Sequence, residues 1–320
     1  MAFILAFSIS ILLLTCFQSL ADRWGFVDRP NARSAHQTPT PVGAGICFAI
    51  AVIVALMVPS SFANENTWWF VVLQGCGLLV ALVGLIDDRL SLPPWLRLFV
   101  YLVVAVVTVL TLLGVAPILV IGLAVLALGW TINLVNFMDG LDGLVVTQAL
   151  CVCLGLAAIS LFLPEKSGVA HLALLLVAAL LPFLWLNWPP ARIFMGDSGA
   201  VFLGFYLGWL GLYAAIEDYR LGAAWIILMM PFLTDATCTL LKRLAQGKSP
   251  AEAHSEHTYQ RFKRAGGSAL AINAGLLSLQ IFWQLPLAFW AVFGSQPPII
   301  TVIFSTIPSL IAVAYGSRKP

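Results

Sequence analysis

From residue 3 to residue 314 the chain runs through apolar stretches of bilayer length, at about 3–20, 43–59, 68–86, 95–113, 116–134, 144–163, 169–186, 199–215, 222–241, 269–291 and 297–314. About twenty apolar residues in helical rise cross the hydrocarbon of a membrane. Lipid offers unpaired backbone groups no partner, so each stretch is expected to be a helix. The pattern predicts an all-α, polytopic membrane helical bundle of about 11 transmembrane helices, a single integral-membrane domain over 1–320. Only Gly114 and Pro117 mark the break between the fourth and fifth stretches. The first stretch, MAFILAFSISILLL, lacks the positive flank of a secretion signal even though SLA stands at 19–21, so it reads as an uncleaved span.

Composition agrees with that pattern. Charged residues make up 9% of the chain, against about 25% in soluble domains. A net charge of +2 gives no basis for nucleic-acid binding. The six cysteines, at 16, 47, 76, 151, 153 and 238, lie in or beside apolar stretches without metal-ligand spacing, and read as small apolar residues. If the first span ends in the cytoplasm, fourteen of the sixteen Lys and Arg fall on the cytoplasmic side, and only Lys166 and Arg220 outside. Cytoplasmic loops carry the positive excess, so the N-terminus is expected outside and the C-terminus in the cytoplasm.

The polar residues that break the pattern are concentrated. NLVNFMDGLDGL, at 133–144, falls between two apolar stretches. Asn133 and Asn136 are one turn apart and share a helix face; Gly140 and Gly143 loosen the backbone and let Asp139 and Asp142 turn into a cleft. IDD (86–88) ends the third stretch, and MGDSG (195–199) opens the eighth. Singly, each cluster reads as a helix end: a solvated cap at Asp87–Asp88, an N-cap at Asp197. Six Asp (87, 88, 139, 142, 197, 235) at mid-bilayer would cost roughly 15–20 kcal/mol, so they are expected at cytoplasmic helix ends, facing water. Carboxylates converging there repel unless a cation or donor intervenes.

Two loops supply the other half. RSAHQTPTPVGAG (33–45) combines prolines and glycines that stiffen a turn and offer backbone amides. The largest inner loop, 242–267, carries His254, His257, Arg261, Lys263 and Arg264; one reading is simply a positive-inside loop. If it is helical there, His254, His257 and Arg261 stack along one face. Acids on one set of loops and bases on another suit a metal-bridged, multiply anionic ligand such as a diphosphate.

In this order, DD (87–88), NLVNFMDGLDGL, GDSG (196–199) and the histidine-bearing last loop resemble the polyprenyl-phosphate N-acetylhexosamine-1-phosphate transferases, glycosyltransferase family 4. The likeness covers about residues 30–265. It implies transfer of an N-acetylated sugar 1-phosphate from a UDP-sugar to undecaprenyl phosphate (dolichyl phosphate in eukaryotes), with release of UMP. It also implies Mg²⁺, with Mn²⁺ able to substitute, and a cytoplasmic-face site in the bacterial inner membrane. The partners it implies are undecaprenyl phosphate, a UDP-N-acetyl sugar, membrane lipids and, as an option, a second copy in a homodimer. Carried over by position, Asp87, Asp88 and Asp197 are the catalytic acids. Asn136, Asp197 and Asp88 are the metal ligands, and Asn133, Asp139, Asp142, His254, His257 and Arg261 bind substrate, with Asp142 at the uracil. Where relatives often read HxHH this chain reads HSEH, with Glu256 in place of one histidine. HSEHTYQR is closest to the branch that initiates O-antigen on N-acetylated 6-deoxy sugars.

The implied reaction joins two anions, so neutralising charge dominates. Mg²⁺ takes only one or two protein carboxylates and keeps waters, so six Asp cannot all be ligands. Asp87 is the candidate base, although a phosphate monoester with a second pKa of about 6 needs little help. Two routes stay open: direct attack of the lipid phosphate on the sugar-linked phosphorus, which is simpler, or prior attack by an Asp. A rival from another class is a secondary transporter that couples protons or cations to carboxylates, whose acids belong near the midplane on broken helices. A non-catalytic scaffold is the other, but it leaves the acid clusters unexplained.

Overall fold

A computed structural model describes residues 1–29, 38–58, 67–163, 165, 167–249 and 254–317. Residues 33–37 of the first loop, Lys166, and 250–253 of the last loop lie outside the described residues. Every apolar stretch is helical. In chain order they are α1 (Ala2–Trp24), α2 (Gly45–Leu56), α3 (Thr67–Leu90), α4 (Pro94–Leu113), α5 (Ile118–Met138), α6 (Leu144–Ser160), α7 (Ser167–Asn187), α8 (Gly196–Glu217) and α9 (Tyr219–Ala245). After a short α10 (Thr258–Arg264), the tenth stretch is α11 (Ala269–Leu279), a π-helical turn (Gln280–Gln284) and α12 (Leu285–Phe293); α13 (Pro298–Gly316) is the eleventh. A two-residue antiparallel ladder, β1 (Val27–Asp28) with β2 (Thr40–Pro41), flanks the first loop.

The protein is an all-α polytopic membrane bundle. Among the described residues nine helices are long and apolar enough to cross a membrane, fewer than the 11 expected. The difference lies in α2, with 12 residues, and α6, with 17. At 1.5 Å per residue, twelve residues rise about 18 Å, short of about 30 Å of hydrocarbon.

Where the sequence reads as one domain, contacts gather into two compact units, interleaved along the chain. The first comprises Met1–Asn136 and His171–Leu210; the second comprises Phe137–Ala170 and Gly211–Pro320. In the first unit α8 is the buried centre: Ala200 to Leu210 are all buried. A helix apolar all round belongs inside. Tyr206 on α8 donates to the Leu172 carbonyl of α7 (3.0 Å), Ser10 on α1 donates to the Ala179 carbonyl (2.7 Å), and Phe48 of α2 packs edge-on against Phe183.

In the second unit α9 packs against α6, α12 and α13. Pro231 lies inside α9 and disturbs the turn before it. In that turn the Leu228 carbonyl accepts from Gln148 Nε2 and from Gln280 Nε2, each at 2.8 Å. Gln280 opens the π-helical turn and also donates to Gln148 Oε1 (2.8 Å). Two buried amides thereby hold α6, α9 and the irregular tenth stretch together.

Candidate active site

In the first unit, backbone contact between helices brings three aspartates together. A Cβ on Gly84 of α3 would meet Ser198 Cα at 2.6 Å, so only glycine lets α3 lie on the start of α8. Gly196 has φ 67°, a left-handed conformation, and a Cβ there would run into the Asp88 carboxylate. With α8 seated this way, Asp88 accepts from the Asp197 N–H (2.7 Å) and the Ser198 N–H (3.2 Å). These are orphan donors of the first helical turn, where a negative group is favoured. Asp88 of α3 therefore caps α8. The first loop joins the same platform: Ser198 donates to the Gly43 carbonyl (3.2 Å), and Gly45 N–H to the Met195 carbonyl (2.9 Å).

Asp87 and Asp197 have a different arrangement. Asp87 accepts from Leu92 N–H (2.6 Å) in the turn between α3 and α4. Arg97, in the first turns of α4, bridges the two acids: Nη1 pairs with Asp87 Oδ2 and with Asp197 Oδ2 (3.2 Å). The Asp87 side chain is 4% exposed and that of Asp197 is 31%. One turn beyond Arg97, Tyr101 is buried with a hydroxyl that has no hydrogen-bond partner among the described residues.

Three carboxylates and one guanidinium leave this cluster with an excess of negative oxygen. Hard oxygen donors in small number are what Mg²⁺ uses. Asp197 has the accessible carboxylate of the pair that Arg97 bridges, so it can offer such an ion one oxygen ligand, as the small donor number of Mg²⁺ allows. Asp88 differs in that each of its oxygens already accepts from an α8 amide, so it also has a structural task at the start of α8.

The second unit holds the histidine loop. Residues 254–257 are not helical, and α10 starts only at Thr258. The expected single helical face for His254, His257 and Arg261 is therefore not formed. The two imidazoles still adjoin, with centroids 5.0 Å apart. Arg261 turns to Glu256 instead, donating from Nε to its carbonyl (2.8 Å), with Nη2 3.6 Å from Oε2. Glu256 Oε1 also receives Arg243 (2.7 Å) and Lys248 (2.9 Å). The Lys248 hydrogen bond, followed by that of Arg243, holds this carboxyl below its ordinary range. Burial, with His257 and Arg243 nearby, pushes the His254 imidazole down to about 4. Its Nδ1 accepts from Glu256 N–H (3.3 Å), which leaves Nε2 as the ring nitrogen for any other partner.

The opening of NFMDG lies against this loop. The Phe137 and Tyr259 rings both stack with His257, at 6.4 and 6.0 Å. Tyr259 donates to the Phe137 carbonyl (3.4 Å), and a Cβ on Gly140 would collide with that hydroxyl. Burial, then the charges of Asp139 and Asp235, pushes the Tyr259 phenol up, so it stays a donor. Asp139 and Asp142 sit half-buried between α5 and α6, and Asn273 of α11 donates to the Asp142 carbonyl (2.8 Å). Asn133 and Asn136 lie half-buried near the end of α5, with Asn133 donating to the Gly129 carbonyl of its own helix (2.8 Å).

Two groups escape sequence reasoning. Arg97 is indistinguishable in sequence from the other orienting arginines. Asp235 was expected at a helix end, yet it stands ten residues before the end of α9 and is 5% exposed. All six cysteines are free thiols.

Comparison with known proteins bears on these clusters. A family model described as glycosyl transferase family 4 matches residues 68–215, which include Asp87, Asp88, Asn136, Asp142 and Asp197. An undecaprenyl-phosphate alpha-N-acetylglucosaminyl 1-phosphate transferase of Yersinia pestis is 28% identical, over 82% of this chain and 76% of its own length. A probable undecaprenyl-phosphate N-acetylglucosaminyl 1-phosphate transferase of Bacillus subtilis is also 28% identical, over 82% and 77%. A decaprenyl-phosphate N-acetylglucosaminephosphotransferase of Mycolicibacterium smegmatis is 32% identical, over 78% and 71%. The chain belongs to glycosyl transferase family 4, the family of the polyprenyl-phosphate N-acetylhexosamine-1-phosphate transferases.

Proposed function

We propose that this membrane transferase moves an N-acetylated sugar 1-phosphate from a UDP-sugar to undecaprenyl phosphate, releasing UMP and initiating a cell-surface glycan. The observation that carries the reading is the cluster of Asp87, Asp88 and Asp197 around Arg97. It fits a reaction between two anions, in which charge neutralisation is the main requirement. Mg²⁺ would be held by Asp197 with Asn136, and it would supply positive charge to the diphosphate. Asp87 is our candidate to accept a proton from the lipid phosphate; Leu92 N–H and Arg97 fix its carboxylate. Asp88 keeps the first turn of α8, and so Asp197, in place. Asn133, Asp139 and Asp142 belong to the nucleotide side, and His257 to the diphosphate. HSEH in the last loop favours the O-antigen branch and a 6-deoxy N-acetyl sugar.

The positions of Asp87, Asp88 and Asp197 argue against the transporter, while Asp235, inside α9, does not bear on it. Asp87 and Asp88 lie in the last turn of α3, and Asp197 in the first turn of α8, at helix ends rather than mid-helix. Purified protein given undecaprenyl phosphate and a panel of UDP-N-acetyl sugars should release UMP with one of them and form a lipid-linked product. No UMP from any sugar by folded protein would overturn the reading. The site is placed at the cytoplasmic face of the inner membrane. In a cysteine-free background, Ser255→Cys should react with an impermeant thiol reagent only from the cytoplasm, and Val115→Cys only from outside; both are exposed positions. The reverse labelling would invert the topology.

A further inference from the structure

Asp235 has no place in the reaction as described, yet it is among the most buried acids of the described residues. Its carboxylate accepts the Thr258 N–H, at 3.0 Å to each oxygen, and the hydroxyls of Thr258 (3.0 Å) and Thr239 (3.2 Å). No Lys or Arg pairs with it among the described residues. What faces it is His257, whose Nδ1 is 3.6 Å from Oδ1. That nitrogen is buried and, among the described residues, has no hydrogen-bond partner. A buried polar nitrogen without a partner is costly, and a ring lone pair turned to a carboxylate would be repelled. A hydrogen on Nδ1 removes both penalties, because a small turn of the ring then closes a hydrogen bond to Asp235. Stacking between His257 and the rings of Phe137 and Tyr259 limits how else it can turn.

We propose that Asp235 is a positioning residue for His257. It keeps the hydrogen on Nδ1 and aims Nε2, the opposite ring nitrogen, at the transferred phosphate. The second nitrogen of a histidine is set by the bond the first one makes. With Nδ1–H turned to Asp235 in either protonation state, Nε2 is the nitrogen that meets substrate, accepting when the ring is neutral and donating when it is charged. Thr258, directly after His257, ties the same carboxylate to the backbone, so ring and main chain are registered by one group. The inference rests on the transferase reading for what Nε2 does, but not for where the hydrogen sits.

Two measurements test it. Nitrogen-15 NMR of histidine-labelled wild-type protein in micelles, with His257→Gln to assign the signal, should show hydrogen on Nδ1 of His257; a ring with bare Nδ1 would overturn the proposal. Kinetically, Asp235→Asn should lower kcat with little change in KM, by roughly 10- to 100-fold, the scale of loss when the orienting partner of a metal-ligating histidine is removed. In a His257→Ala background the same change should cost less than about 3-fold, since groups acting as a unit are not additive. Equal losses in both backgrounds would make Asp235 merely structural and sink the idea. If Asp235→Asn does not fold, the wild-type spectrum decides alone. An inactive wild type with Nδ1 protonated would count against the transferase reading and leave the Asp235–His257 pair standing.

Discussion

In the first unit three carboxylates, Asp87, Asp88 and Asp197, have one guanidinium, Arg97, among them. In the second, three cations, Arg243, Lys248 and Arg261, gather on one carboxylate, Glu256. The two regions lean to opposite charge, although the second also holds the Asp235 carboxylate against Thr258 and His257. Surplus carboxylate oxygen calls for a cation, and clustered ammonium and guanidinium groups suit an anion. They also differ in what holds the charge. Asp87 and Asp88 are anchored to backbone N–H groups, whereas the Glu256 carboxylate is held by side chains, one of them, Arg243, buried and another, Lys248, exposed. An exposed pair such as Lys248–Glu256 contributes little, about 0.2–1 kcal/mol.

That contrast is sharpest at Asp197. Asp197→Asn keeps the shape and one acceptor oxygen but removes the charge, so turnover should fall by about 10²-fold or more, the scale of a lost electrostatic contribution. Its thermal unfolding should stay near wild type, because the N–H bonded by Asp88 is retained. Near-normal turnover at low Mg²⁺ would remove the acid side from the chemistry. On the basic side His257→Ala should lower kcat/KM by roughly 10- to 150-fold, the value of a hydrogen bond to a charged group such as phosphate at about 1.5–3 kcal/mol. Unchanged kinetics there would leave a membrane-orienting loop and nothing more.

The helices were legible in the sequence because membrane helices are apolar over their full length, and lipid allows few alternatives. Asp87, Asp88 and Asp197 were legible as a group because acids with glycines at helix ends stand out in a chain with 9% charge. Their division of labour was not. Asp88 and the amides it caps are 109 and 110 residues apart, and Arg97 and Asp197 are 100 apart; no periodicity registers such pairs. The histidine spacing suggested a helix, but His257 stands at the cap, where its N–H bonds Gln260 Oε1 (3.1 Å) and the chain is still extended. Asp235 was counted with the other acids because burial on a kinked helix leaves no mark in composition.

Asp88→Ala separates capping from metal ligation. Loss of a helix cap costs about 0.5–2 kcal/mol, so the melting temperature should drop even in chelator. A drop seen only with Mg²⁺ present would return Asp88 to the metal. The smallest effect expected is on the basic side and depends on pH. The His254 imidazole is depressed from 6.5 to about 4 in the folded protein. Between those values the unfolded chain binds a proton that the folded one does not, so stability falls as pH falls through that window. His254→Gln should remove this component, and its melting temperature should gain on wild type between pH 6.5 and pH 4. A constant difference across that range would mean that His254 is not buried as described.

The most direct test of the complementary-charge account is UMP release by wild type and Asp197→Asn across a Mg²⁺ titration, started in chelator. Wild type should rise from background to a plateau as Mg²⁺ is added, while Asp197→Asn stays near background through the range that saturates wild type. Full UMP release in chelator, or a variant that follows the wild-type curve, would contradict the claim that surplus negative charge at Asp197 is there to hold a cation.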